Sequence, residues 1–199
     1  WREQKIPDLP IFVDSPLAVD ATTVFRMHPE VFDRRERLVD DGHALFDFPL
    51  LRYVRSVIES KKINAMNGPA VIIAASGMVE SGRVLHHIAN HAGDHRNCIL
   101  FVGFQAEHTL GRRIQEGQSP IRVWGELVDR HCEVATIGGY SAHADAAELR
   151  AWVRRLGGPI RRAFVVHGEM AGLRAMADIL REEGVKEVHV PDLGDVYEL

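Results

Sequence analysis

The chain has 199 residues, of which 46% are hydrophobic and 26% are charged, and its formal net charge is −4. This composition is typical of a folded soluble domain, and the charge excludes a broad basic surface, so a contact with nucleic acid would depend on a few arginines and backbone amides. No apolar run reaches the ~20 residues of a membrane span, and no signal peptide opens the sequence. We therefore expect a cytoplasmic protein and, because the first residue is Trp1 rather than Met, a fragment of a longer one.

Short apolar strands alternate with helices along the chain. Asp14 and Ser15 have the side chains of a helix N-cap, and Pro16 suits the first helical position. Further helices are predicted at 30–41, 49–60, 83–92, 145–156 and 169–183, and strands at 10–13, 70–75, 97–104, 121–124, 127–137, 163–166, 186–191 and 196–199. The strand at 70–75 is predicted to be buried on both faces, and Cys98 and Cys132 to be buried, reduced thiols. The repeated order of strand, polar turn and helix predicts an α/β fold with a mostly parallel sheet.

Two of the polar turns have residues suited to binding an anion. Ser76, Gly77 and Met78 lie between a strand and a helix, where free amides and the helix dipole favour a phosphate. The glycine alone is equally compatible with a tight turn. Arg112 and Arg113 follow the next strand and turn, and they are suited either to a phosphate backbone or to a solvated helix face.

Two histidines follow strands in the last third of the chain. The strand at 133–137 leads through two glycines to Ser141, His143 and Asp145, and the strand at 163–166 ends on His167. Because the carboxyl ends of neighbouring parallel strands share one edge of a sheet, these side chains are expected to lie together.

Three chemistries remain open for these residues. Imidazole binds zinc, which favours metal-assisted phosphodiester hydrolysis, but a catalytic zinc needs about three protein ligands. A serine hydrolase is the second option, since Ser141 lies in a strand-turn-helix context, although His143 replaces the final glycine of the G-x-S-x-G pattern. The third option is a module that binds without catalysis.

The motifs SAHAD at 141–145, VHGE at 166–169 and GFQAEHTLGR at 103–112 resemble those of the β-CASP nucleases, the nucleic-acid-processing branch of the metallo-β-lactamase superfamily. The resemblance runs from Pro10 to Leu199. It implies most of a β-CASP domain over 1–118 and, over 119–199, the C-terminal part of a metallo-β-lactamase αββα fold with the RNA-metabolising motifs.

The resemblance also implies roles for individual residues. His167 would be a zinc ligand, and His143 would approach the scissile phosphate. Asp145 would be catalytic together with His143, as a cap of the following helix or as a group that orients the imidazole. Ser141 would contact phosphate, and Glu169 would cap a helix or support a ligand. It further favours Ser76, Gly77 and Met78 as substrate contacts, and Arg112 and Arg113 on the next helix are the other candidate substrate-binding residues. His108 stands where a glycine is expected, so no role is assigned to it.

The substrate and partners follow from the same resemblance. A histidine at position 167 favours single-stranded RNA, cut by endonuclease or 5′-exonuclease action, over DNA. The complete enzyme would hold two zinc ions, mostly through a His-x-His-x-Asp-His motif that this sequence lacks. The fragment would therefore be inactive without its N-terminal metallo-β-lactamase half. A homodimer is left open as the oligomeric state. The alternative function left open is a non-catalytic RNA-binding scaffold of an RNA-processing complex.

Overall fold

The computed structural model describes residues 4–31 and 46–198, and the chain divides into two compact units, residues 1–138 and 139–199. The helices of these described ranges are α1 (Pro16–Met27), α2 (Val57–Asn64), α3 (Arg83–His91), α4 (Leu110–Gln115), α5 (Ala146–Arg155) and α6 (Met170–Glu182). The strands are β1 (Ile11–Asp14), β2 (Leu51–Tyr53), β3 (Val71–Ala74), β4 (Cys98–Phe101), β5 (Ile121–Val123), β6 (Glu126–Val128), β7 (Glu133–Thr136), β8 (Arg162–Phe164) and β9 (Glu187–His189). Short 3-10 turns lie at Pro29–Val31 and Gly138–Tyr140. The predicted helix at 30–41 lies largely outside the described residues.

The strands of the described ranges form small sheets. Three of these sheets are parallel, with the orders β2-β1-β3, β4-β7 and β8-β9, and β5 and β6 form an antiparallel hairpin. The α/β class with parallel pairing is therefore confirmed. A single sheet is not formed in these ranges, because β7 pairs with β4 while β8 pairs with β9.

The predicted helix at 49–60 is wrong in its first half and confirmed at 57–60. Its first half contains β2, which pairs in parallel with β1 in the register Ile11 to Leu51. The helix α2 begins after Ser56, where a capping box forms: Glu59 N–H donates to Ser56 Oγ at 3.1 Å, and Ser56 N–H donates to Glu59 Oε2 at 3.0 Å. Local capping chemistry thus sets the start of the helix, while pairing with β1 decides the conformation of the apolar residues before it.

The larger of two core clusters in the described part of the first unit lies between α3, α4 and the strands β4 to β7. It contains the buried residues Val79, Leu85, Ile88, Ala92, Phe101, Leu110, Ile114, Ile121, Val123 and Cys132. Cys132 is buried as predicted, and burial raises its pKa. Cys98 is exposed, so its predicted burial is wrong: side chains alternate along a strand, and Cys98 lies on the face of β4 opposite Phe101.

The strand β3 also has one open face. Val71 and Ile73 are 43% and 50% exposed, whereas Ile72 and Ala74 are partly buried. The prediction that this strand is buried on both faces is therefore wrong within the described ranges.

A buried polar network joins β1 to α2 and α3. Asp14 is fully buried; its Oδ2 accepts from Ser60 Oγ at 2.5 Å and contacts His87 Nε2 at 2.7 Å, and its Oδ1 accepts from Arg83 Nη1. Burial raises the pKa of Asp14, but the hydrogen bonds from Ser60, His87 and Arg83 outweigh burial and hold this pKa below its usual value. Ser15 caps α1 as predicted, whereas Asp14 serves this network and not the cap.

The second unit is a small α/β assembly. Its core contains Val153, Val165, Ala177, Leu180 and Val185. The predicted strand at 196–199 is not formed at 196–198; instead the Tyr197 ring packs against Phe164 and His189 with centroids 4.9 Å away. None of the helices in the described ranges combines the length and apolar composition of a membrane span.

Candidate active site

The turn that carries His143 is exposed and locally ordered. It follows the 3-10 turn Gly138–Tyr140, and the His143 N–H donates to Ser141 Oγ at 3.3 Å. Because Oγ acts as acceptor in this bond, the Ser141 hydroxyl proton remains able to donate to an anion. Both side chains reach solvent, which a residue that meets substrate requires.

Asp145 caps α5. Its Oδ1 accepts from Glu148 N–H at 2.8 Å, and Glu148 Oε2 accepts from Asp145 N–H at 3.0 Å, which completes a capping box. The capping interpretation of Asp145 is confirmed. The cap fixes the start of α5 three residues after His143.

His167 lies just after β8 in a strained backbone conformation. Its φ is +62°, in the left-handed region that few residues other than glycine adopt, and its side chain is exposed. Gly168 follows, and a Cβ added there would lie 3.1 Å from Leu173 Cδ2. Glu169 occupies the N-cap position of α6, but its side chain makes no capping bond, so that part of its prediction is wrong.

The helices that follow the two histidines pack against each other. Glu183 at the end of α6 accepts from Arg154 Nε at 2.8 Å and from Arg150 Nη1 at 2.9 Å, both on α5. Hydrogen bonds from these arginines hold the pKa of Glu183 below its usual range. In the described ranges β7 and β8 belong to different sheets, so His143 and His167 do not share the expected sheet edge. Both lie in the second unit, where α5 is joined by its ion pairs to Glu183 after α6.

The turn after β3 is held by Ser76. Its Oγ accepts from the N–H groups of Glu80 and Ser81 at 3.1 and 3.2 Å. The amides on this side of the turn are therefore already used. Gly77 and Met78 are exposed, and in the described part of the chain their N–H groups donate to no protein atom. They are the amides that remain for a ligand.

This turn is bonded to the turn before α4. Leu110 N–H donates to Glu80 Oε1 at 2.5 Å, and Gly111 N–H donates to Met78 O at 3.0 Å. The two turns that the sequence predicts to contact substrate thus form one hydrogen-bonded structure within the first unit.

Gln105 lies at the centre of that structure. It is 3% exposed, and its Nε2 donates to the carbonyl groups of Gly77, Phe104 and Gly103 at 2.9, 3.1 and 3.2 Å. Its Oε1 is buried without a conventional donor among the described residues and points at Gly111, where an added Cβ would lie 1.8 Å away. Glycine at position 111 is therefore required for this packing.

The two arginines of α4 differ in their surroundings. Arg112 Nε donates to Glu116 Oε1 at 2.6 Å, and Arg112 Nη1 donates to Gln105 O at 3.2 Å. Arg113 is exposed and donates to His108 O at 3.2 Å. Arg113 is thus the more accessible cation. His108 has φ +69°, which accounts for the expected preference for glycine there.

Comparison with known proteins decides the family. Residues 1–114, more than half of the chain, match the model of the Beta-Casp domain. The chain belongs to the Beta-Casp family. Residues 127–191 match the Zn-dependent metallo-hydrolase RNA specificity domain. The structure divides this Beta-Casp chain at 138/139, inside the second match.

Relatives of this Beta-Casp chain include a ribonuclease and transcription termination factors. The chain is 34% identical over 192 residues to ribonuclease TTHA0252 of Thermus thermophilus, which covers 96% of this chain and 43% of the relative. It is 31% identical over 195 residues to the transcription termination factor FttA of Methanocaldococcus jannaschii, covering 94% of this chain and 31% of the relative. With FttA of Thermococcus kodakarensis the identity is 36% over 169 residues, 81% of this chain and 26% of the relative. The chain thus spans less than half the length of each.

The second matched family is described as Zn-dependent, so its members need side chains that can bind zinc. Within the described ranges, no group of three or more His, Cys, Asp or Glu side chains is arranged to hold a metal. A catalytic zinc takes about three protein ligands. The described residues of this Beta-Casp chain therefore do not fit a zinc ion by themselves.

Glu80 and Gln105 were not singled out by the sequence. Gln105 lies within the GFQAEHTLGR motif, but its spacing gives no sign that its amide reaches a carbonyl 28 residues away. The only local signal is that this side-chain amide comes directly after an apolar strand. An amide buried at such a place needs hydrogen-bond partners.

Proposed function

We propose that this chain is part of a zinc-dependent ribonuclease that hydrolyses phosphodiester bonds of single-stranded RNA in the cytoplasm. The observation that carries the proposal is the pair of exposed histidines, His143 and His167, within residues 127–191, which match an RNA specificity domain of Zn-dependent metallo-hydrolases. Residues 1–118 would be the β-CASP domain, and residues 119–199 the C-terminal part of a metallo-β-lactamase fold.

His167 would contribute one zinc ligand. Its exposed ring follows β8, and its left-handed backbone is the kind of strain that is retained at functional positions. The remaining ligands would come from outside the described residues, since these hold no group of three donors. The chain alone is expected to bind RNA without cutting it.

His143 would act on the scissile phosphate. An imidazolium can donate a hydrogen bond to the charge that develops on phosphate oxygen, or protonate the leaving oxygen. The Ser141 hydroxyl would donate to a phosphate oxygen, and Asp145 would hold the turn through its cap on α5. In this role Asp145 positions His143 and does not take a proton itself.

The first unit would bind the RNA backbone. The free amides of Gly77 and Met78, the Ser76 hydroxyl proton and the exposed Arg113 provide donors for phosphate oxygens. Arg112, engaged with Glu116, would support α4 more than it contacts RNA. Such local contacts are consistent with the net charge of −4.

A non-catalytic RNA-binding paralogue is the second candidate. The lack of a three-donor group among the described residues fits this candidate as well as it fits the first, whose other ligands would lie outside these residues. The two candidates differ in whether the complete protein, loaded with zinc, cuts RNA.

The test uses His143→Ala and His167→Ala in the complete protein, with bound zinc and cleavage of single-stranded RNA as the two measurements. We expect His167→Ala to lose zinc and cleavage, and His143→Ala to keep zinc while cleavage falls by about 10²- to 10⁴-fold. His95→Ala, at a histidine with an 85% exposed side chain, is the matched control and should retain both. Normal cleavage by both His143→Ala and His167→Ala would contradict the proposed roles of these two histidines in RNA cleavage.

A further inference from the structure

Trp124 stands at the tip of the β5–β6 hairpin in an unfavourable backbone conformation. The strands pair in the register Val123 to Glu126, so the loop has two residues, Trp124 and Gly125, with φ values of +50° and +87°. Such loops favour Asn, Asp or Gly at both positions because each has a positive φ. A tryptophan at the first position costs stability that an asparagine would not.

Burial does not compensate this cost. Trp124 is 58% exposed, while the hairpin is anchored by Ile121 and Val123, which are almost fully buried. The indole contacts the His86 ring, with centroids 4.3 Å apart and an interplanar angle of 55°. The imidazole therefore supports part of the indole and leaves much of its surface open to a ligand.

The position of His86 connects this pair with the turn proposed to bind phosphate. The helix α3 begins at Arg83, directly after that turn, and His86 lies one helical turn, about 5 Å, further along. The exposed Arg122 donates through Nη1 to Gly125 O, which holds the hairpin tip and places a positive charge at that tip.

We propose that Trp124, supported by His86, stacks on a nucleobase of single-stranded RNA. Bases stack on exposed aromatic side chains through their π-faces, and the charge of Arg122 at the hairpin tip would attract the phosphate backbone next to a stacked base. This inference rests on the proposed function, because it takes RNA as the substrate. It adds a base-stacking position beside the backbone contacts of the first unit, and stacking of this kind favours a strand whose bases are unpaired.

The test compares two oligomers bound to the full chain. One is an oligoadenylate of about twelve nucleotides, within the usual range of site sizes, and the other is an abasic oligomer of the same length. Trp124→Asn keeps a residue that suits the turn and should weaken oligoadenylate binding about tenfold, without changing binding of the abasic oligomer. Trp124→Phe, which keeps a ring, should restore most of the affinity. Trp152→Asn, at a tryptophan that is 55% exposed on α5, is the matched control and should change neither.

A second measurement follows the indole directly. In a chain with Trp1→Phe and Trp152→Phe, the remaining Trp124 fluorescence should be quenched by oligoadenylate and not by the abasic oligomer. The stacking proposal is overturned if Trp124→Asn binds oligoadenylate like the wild type, or if the variant instead dissociates a dimer seen by sedimentation, which would make the ring a protein contact. If the wild type binds both oligomers equally, the base-stacking proposal is contradicted and the proposed backbone contacts are not. If it binds neither oligomer, the proposed RNA contact of the first unit is contradicted as well.

Discussion

Gly111 and Gln105 are packed so closely that no other residue fits at position 111. A Cβ there would lie 1.8 Å from Gln105 Oε1 and 2.9 Å from Met78 O. Gln105 cannot simply turn away, since its Nε2 is bonded to three carbonyl groups. This contact holds the two substrate-contact turns of the first unit together.

We expect Gly111→Ala to lower the free energy of unfolding by about 1–3 kcal/mol, because an extra methyl in a filled site forces its neighbours to move. Urea denaturation measures the change. Gly103→Ala is the control: a Cβ there meets no atom within 4 Å, and its effect should be small. In the Gln105→Ala variant, Gly111→Ala should lower the free energy of unfolding by less than it does in the wild type. Equal losses in the two proteins would show that position 111 is not restricted by Gln105.

Asp14→Asn should destabilise the first unit by about 3–5 kcal/mol, since it leaves the largely buried Arg83 without its carboxylate. The change is measured by urea denaturation at neutral pH. Asp20→Asn breaks the ion pair with Arg55 at 2.9 Å, in which both side chains are exposed, and should cost less than about 1 kcal/mol. Similar losses from the two variants would show that the buried network contributes no more than a surface pair.

His91 should make stability depend on pH. Burial and the nearby His87 lower the pKa of His91, while Asp94 opposes them. A histidine with a depressed folded pKa takes up its proton more readily in the unfolded chain. Its contribution is therefore present above the unfolded pKa near 6.5 and is lost as pH falls through the folded pKa.

Between about pH 7 and about pH 5, we expect the free energy of unfolding to fall more steeply for the wild type than for His91→Gln. Urea titrations at several pH values give both slopes. His95→Gln, at an exposed histidine, should keep the wild-type slope. If His91→Gln shows the wild-type slope too, another group dominates the titration.

His108→Gly should stabilise the chain by up to about 1 kcal/mol. The left-handed backbone at His108 costs roughly 1–2 kcal/mol for a residue with a Cβ, and the greater freedom of glycine in the unfolded state offsets part of the gain. Thermal unfolding detects the difference. His108→Ala keeps a Cβ and should show no such gain. A more stable alanine variant would contradict the claim that the left-handed backbone at position 108 is strained.

Local sequence chemistry determined several helix starts and the α/β class of this chain. The N-caps Ser15 and Asp145 act within four residues of themselves, so their helix starts were predictable without any tertiary information. The order of strand, turn and helix likewise predicted the α/β class. The motifs around His143 and His167 indicated the Beta-Casp family because their order and spacing are written in the chain.

Only the tertiary structure decided which strands pair and which faces are covered. Residues 51–53 became a strand because β1 pairs with them, and Cys98 is exposed because the core contacts the other face of β4. The contact of Gln105 with Gly111 and the burial of Asp14 likewise depend on partners from other elements. Sequence patterns report on neighbours a few residues apart, whereas strand partners and buried hydrogen bonds come from segments that folding alone brings together.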